Sequence, residues 1–170
     1  MTPHRNFSPG EPLWICRRCS LLEVSGLCGT QLKLEITESV LIENTQLATS
    51  LLLEIKQHQI QLCLDDFGTG YSSLSYLHQF PIDVLKIDRS FVAQLEADND
   101  KREIVKAITN LGTTLGLTVV AEGVETAGQA TFLQSIGCLG AQGYYFSPPV
   151  PEPEVQKFFY RVPSQYSSHS

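Results

Sequence analysis

Apolar residues recur along most of the chain with two different periods. Five runs are β-branched or leucine-rich and end in polar or glycine-containing turns: "LKLEIT" (32–37), "IQLCLD" (60–65), "DVLKID" (83–88), "LTVVAE" (117–122) and "CLGAQG" (138–143). Runs of this length and composition predict strands. Between them, "NTQLATSLLLEIKQHQ" (44–59) places Leu47, Leu51, Leu52 and Ile55 on one helical face, and "KREIVKAITNLGTTLG" (101–116) does the same with Ile104, Val105, Ile108 and Leu111. Shorter helices are expected at 71–79, 126–136 and 152–160, the last preceded by Pro148, Pro149 and Pro151. Strands and helices alternating in this way predict an α/β fold, with a parallel sheet joined by crossover helices.

Side chains alternate across a strand, so the parity of each polar residue tells which wall it faces. Glu35 opposes Leu32, Leu34 and Ile36, and Asp65 opposes Leu62 and Leu64. Lys86 opposes Leu85 and Ile87, Glu122 opposes Leu117 and Val119, and Gln142 opposes Leu139 and Ala141. Each of the five stands near the C-terminal end of its strand. If the apolar set packs under the helices, they face the inside of a curved sheet at its C-terminal rim, where barrel enzymes keep their chemistry. The alternative at any one strand is a polar residue that ends the strand at the solvent boundary. Five coincidences, with three acids, a lysine and an amide, favour a site.

Glu35, Asp65, Asp66 and Glu122 offer hard oxygen ligands of the kind that suit Mg²⁺ or Mn²⁺ rather than zinc. Clustered carboxylates repel one another unless cations neutralise them, and a pair of such ions can activate water and stabilise the leaving oxygen of a phosphodiester. Adjacent Asp65 and Asp66 serve together only if the strand ends there and the backbone turns. Lys86 either holds a phosphate oxygen or the attacking water, or forms a structural ion pair; Gln142 is placed to orient a ligand. In "DFGTGYSSL", Gly68 and Gly70 permit positive φ, so the turn Gly68-Thr69-Gly70 leads into a helix capped by Ser72 or Ser73. No third glycine makes it a dinucleotide fingerprint and no Gly-Lys pair makes it a Walker loop. On the residues alone, the best-supported chemistry is metal-assisted hydrolysis of a phosphate ester.

Composition narrows the field further. With 170 residues, 42% hydrophobic and 18% charged, the chain fits one ordinary domain with one core. A formal charge of −6 argues against DNA held on a broad basic surface, but leaves room for a small phosphate ligand bridged by cations. No apolar run approaches the roughly 20 residues of a membrane span, and "MTPHRNFSPGEPLW" lacks a signal-peptide core, so a cytoplasmic chain is expected. The odd set of five cysteines reads as reduced thiols, with Cys63 and Cys138 in strand-like runs. "CRRC" at Cys16 to Cys19, with Cys28 beyond, is half of a zinc pattern that no second pair completes.

"LKLEITES", "LDDFGTGYSSLSYLHQFPIDVLKIDRSFV", "VVAEGVET" and "AQGYYFSPPV" resemble, in order and spacing, the C-terminal part of the EAL domain, the family of cyclic di-GMP phosphodiesterases. The resemblance covers roughly residues 21–160 and leaves 1–20 as an atypical stretch and 161–170 as a frayed tail. It implies a (β/α)₈ TIM-like barrel that uses Mg²⁺ or Mn²⁺ to cut cyclic di-GMP to linear pGpG. It also implies that Glu35 and Asp65 are metal ligands with Asp66 on the second metal, and that Glu122 is a further acid of that site. By the same likeness, Lys86 contacts the reaction centre, Gln142 lies near the nucleophilic water, and Glu38 and Glu125 act from behind, Glu38 bracing the loop after Asp66. That loop would couple the site to a homodimer interface, and diguanylate cyclase or sensory domains would stand on other chains. No Glu-Ala-Leu precedes Glu35, so the barrel implied is incomplete, without its first strands, and its hydrolysis impaired. Asn6 of "NFSPGE" stands for an asparagine ligand slightly out of family spacing. The competing expectation is a catalytically inactive remnant that binds cyclic di-GMP or a protein partner.

Overall fold

The computed structural model describes residues 24–38, 41, 45–68 and 77–159. Asn6, Cys16, Cys19, Thr69, Gly70, the Ser72 or Ser73 cap, most of the helix expected at 71–79 and the tail 161–170 lie outside the described residues. Five strands, β1 (Lys33–Thr37), β2 (Gln61–Phe67), β3 (Val84–Ile87), β4 (Thr118–Ala121) and β5 (Gly140–Ala141), form one sheet in sequence order. Every neighbouring pair is parallel. Among the described residues the helices of four residues or more are α1 (Thr45–Gln57), α2 (Arg89–Val92), α3 (Asn99–Thr114), α4 (Ala127–Ser135) and α5 (Glu152–Phe159). Parallel strands that follow one another in space as in sequence, joined by right-handed crossovers, carry their helices on one face and leave the other as an inner wall.

The core sits between sheet and helices. Leu62, Leu64, Leu85, Ile87 and Val119 are buried with Leu52 and Ile55 of α1, Val105 and Ile108 of α3, and Leu133 of α4. Each such side chain contributes about 1.5–3 kcal/mol through burial. The strand residues are the apolar parity set expected from the pattern, and Leu34 and Ile36 pack against the same cluster. The helical faces are narrower than expected: Leu47 and Ile104 are exposed at their flanks.

β2 departs from the expected form. Its pattern implies a strand ending at Asp65, whereas β2 runs on to Phe67. Leu64 pairs with Leu85 and Phe67 with Ile87, so β2 carries one residue more than β3 over this stretch, a β-bulge. Asp66 takes up the irregularity at φ 55°, a left-handed conformation that aspartate tolerates better than most residues. Its N–H donates to Oδ1 of Asp65 at 3.1 Å. The bulge, and not a strand end, interrupts strict side-chain alternation at this acid pair.

At the opposite end of the strands, Lys56 of α1 donates to both carboxylate oxygens of Asp83 at 2.6 and 2.7 Å, and Asp83 also accepts from the Leu62 N–H at 2.8 Å. This ties α1 to the beginnings of β2 and β3 and so helps to set the register that the rim depends on. Side-chain caps begin three of the helices: Asp88 for α2, Asp98 for α3, and Thr126 with Gln129 for α4.

Candidate functional site

Lys86 lies on the middle strand, β3, with β2 and β4 as its neighbours. Its side chain is 7% exposed, and its Nζ stands 2.5 Å from Glu122, 2.7 Å from Glu35 and 3.1 Å from Asp65. Four of the five parity residues therefore meet at one point on the inner wall. Burial by itself disfavours the ammonium, but its hydrogen bonds to Glu122, Glu35 and Asp65 outweigh that and hold Lys86 above the usual lysine range. The fifth parity residue joins through an acid: Gln142 Nε2 donates to Glu122 Oε1 at 2.7 Å.

Backbone pairing explains why these groups share a level. Glu122 follows β4 directly, and its N–H donates to the Ile87 carbonyl at 3.1 Å. Gln142 follows β5, and its N–H donates to the Ala121 carbonyl at 2.9 Å. β3, β4 and β5 thus end level, at the paired residues Ile87, Ala121 and Ala141, and Glu122 and Gln142 are the next residues over the rim.

Asp66, within β2, and Glu38, directly after β1, are partly buried, and Gly68 sits at φ 97° against the Phe91 ring. Glu125 is exposed and pairs with Arg89 at 2.7 Å. Arg89 is the residue that pattern reading missed. Its side chain lies along Gly123, tying the turn after β4 to α2. The available signal was Asp88 directly before it, a helix cap in "KIDRSF". The pair is solvent-exposed, so a double-mutant cycle with R89A and E125A is expected to give a coupling below about 1 kcal/mol by urea denaturation. A larger value would mean the pair carries structure at the rim.

The thiols of Cys63 and Cys138 are pushed up by burial, which keeps both protonated at neutral pH, while Cys28 is exposed.

Three carboxylates against one ammonium leave two formal negative charges at the focus. Hard oxygens with that surplus fit a divalent cation in donor chemistry and in charge. Among the described residues, no three acidic, histidine or cysteine side chains stand close enough together to enclose an ion as they are placed. The point on which the acids converge is held by the Lys86 ammonium.

The chain matches the family model of the EAL domain over residues 6–149. It is 44% identical over 137 residues to the cyclic di-GMP phosphodiesterase NbdA of Pseudomonas aeruginosa, an alignment that takes in 81% of this chain and 18% of NbdA. Among solved structures, it resembles the PaMucR phosphodiesterase in its c-di-GMP complex, with TM-score 0.82 and 38% identity over 86% of this chain and 59% of that one. It also resembles Klebsiella pneumoniae BlrP1 in a manganese and cyclic di-GMP complex, with TM-score 0.75 and 35% identity over 82% of this chain and 36% of that one. The chain thus spans under a fifth of NbdA and about three fifths of the PaMucR structure. With the motifs, the parallel topology and the rim geometry in agreement, the chain belongs to the EAL domain family, and its five described strands are an arc of an EAL-type TIM barrel.

Proposed function

We propose that this chain carries the phosphodiester-cleaving site of a cyclic di-GMP phosphodiesterase, which converts cyclic di-GMP to linear pGpG with Mg²⁺ or Mn²⁺. The observation that carries the proposal is the convergence of Glu35, Asp65 and Glu122 on one point of the rim, with two negative charges in excess. Glu35, Asp65, Asp66 and Glu122 would hold the ions, with Asn6 as a further ligand. When bound, divalent ions supply an activated water and neutralise charge on the phosphodiester. Glu35 is half exposed, so the cluster is open to a ligand on its side.

Lys86 offers its ammonium to a non-bridging phosphate oxygen. Gln142 fixes the Glu122 carboxylate with a 2.7 Å hydrogen bond and keeps its amide beside the reacting water. Gly68, at the end of the described stretch after β2, and Glu38 would shape the loop that follows, and a homodimer would form through it. Glu125 holds Arg89 in a solvent-exposed ion pair, one step removed from the Lys86 cluster. Diguanylate cyclase or sensory domains on other chains would be its working partners. Among the described residues no helix is long and apolar enough to cross a membrane, and the cytoplasm is the proposed compartment.

Purified full chain with Mn²⁺ and cyclic di-GMP is expected to release pGpG, measured by ion-exchange chromatography, and to stop on addition of EDTA. No pGpG at micromolar enzyme, with heat of nucleotide binding still seen by calorimetry, would replace hydrolysis by a binding role. Neither product nor binding would remove cyclic di-GMP as the ligand.

A further inference from the structure

We infer that Lys86 is a built-in counter-cation that competes with divalent metal for Glu35, Asp65 and Glu122, so that metal loading requires its ammonium to leave the carboxylates. The inference deepens the proposed function and rests on its metal site.

An ammonium has three N–H donors, and Lys86 Nζ has three carboxylate partners, drawn from β1, from β2 and from the end of β4. Mg²⁺ or Mn²⁺ takes its ligands at about 2.0–2.2 Å. An ion bound to these same oxygens would therefore lie within a few ångströms of Nζ, where a +1 and a +2 charge repel strongly in a partly desolvated site. The two cations cannot both occupy the focus. Without either, the three carboxylates from β1, β2 and the end of β4 would repel one another, and their strand ends would spread. Lys86 thus keeps the rim assembled while no metal is bound. Once displaced, its ammonium is left without full compensation and is suited to an anionic phosphodiester. A lysine serving only as structural glue would predict the opposite effect of its removal on metal binding, because a loosened site binds less well.

The test is Mn²⁺ titration of the full chain by calorimetry at pH 8, alongside thermal melts in EDTA and in saturating Mn²⁺. K86M is expected to melt lower than wild type in EDTA, to bind Mn²⁺ at least tenfold more tightly, and to gain more Tm from Mn²⁺ than wild type does. K86R, which retains the charge, is expected to show no such tightening. K86Q replaces K86M if the latter fails to fold, with the same expectation. Mn²⁺ affinity unchanged or weakened in the neutral variants overturns the inference. Tighter binding supports it whether or not pGpG is formed, since product formation tests only the phosphodiesterase reading. Absence of Mn²⁺ binding by wild type and variants alike at millimolar metal overturns both.

Discussion

Replacing Glu122 by glutamine is expected to lower pGpG formation by at least about 10²-fold while leaving the protein folded. Glu122 makes the shortest of the three ion pairs to Lys86, at 2.5 Å, and also accepts from Gln142 at 2.7 Å. Glutamine keeps the size of the side chain but changes what it presents. One oxygen becomes an NH₂ group: the remaining carbonyl oxygen can stand where Oε1 accepts from both Lys86 and Gln142, but the NH₂ is a donor and cannot ligate a cation. The surplus charge at the focus falls from two to one, so the affinity for a divalent cation falls with it. The side chain is 18% exposed, and losing one charge-assisted hydrogen bond there removes about 1–2 kcal/mol of stability. In a domain of this size that is a Tm decrease of about 2–8 °C, readable by circular dichroism and compatible with assay at 25 °C. E125Q is the matched comparison, because Glu125 is bonded to Arg89 and not to the Lys86 cluster, and it should keep turnover within about threefold. An E122Q protein with more than a tenth of wild-type turnover at saturating Mn²⁺ would exclude Glu122 from the chemistry.

The outcome turns on how the rim is built, and much of that construction was legible from alternation alone. Lys86 is flanked by Leu85 and Ile87, both wholly buried on the helix-covered face, so its own side chain had to face the inner wall. The same parity argument placed Glu35 and Asp65, because β1 and β2 pair residue for residue from Lys33 with Gln61 to Thr37 with Asp65. Alternation could not reveal the bulge. It depends on Asp66 adopting φ 55°, which leaves no mark in hydrophobic period. Nor could it bound β5, where only Gly140 and Ala141 pair with β4 and Leu139 is 83% exposed. The run "CLGAQG" announced a strand there, but two paired residues are too few for alternation to set its ends. The four-residue α2 escaped for the same reason, and with it Arg89. Leu47 and Ile104 misled in the other direction, since an apolar side chain at the flank of a helical stripe fits the period and still faces water. Local period thus identified which residues share a wall, while irregular backbone decided how far each strand carries its polar group.

Gly143→Ala is expected to be among the most damaging single substitutions in the described part of the chain, destabilising it by about 3 kcal/mol or more. A methyl group at Gly143 would overlap the carbonyl oxygen and amide nitrogen of Val124 and lie 2.8 Å from its carbonyl carbon. Those atoms cannot give way easily. Val124 is wholly buried, its N–H donates to the Gln142 carbonyl at 3.0 Å, and its own carbonyl accepts from the Tyr145 N–H at 2.9 Å. The turn after β4 and the turn after β5 are thus clasped backbone to backbone, with glycine at the crossing because no side chain fits. For 170 residues the expected loss is about 6–12 °C in Tm, measured by thermal melt. Gly116→Ala separates crowding from backbone strain: Gly116 has φ 74° with nothing within 4 Å of an added methyl, so strain alone should cost about 1–2 kcal/mol. If the two variants melt within 2 °C of each other, the clasp contributes nothing beyond strain. If G143A melts lower as expected, its turnover should also fall at temperatures where it is still folded, because moving Gly143 moves Gln142. The Gln142 amide would then leave Glu122, and the acid would be free to turn toward Lys86 alone.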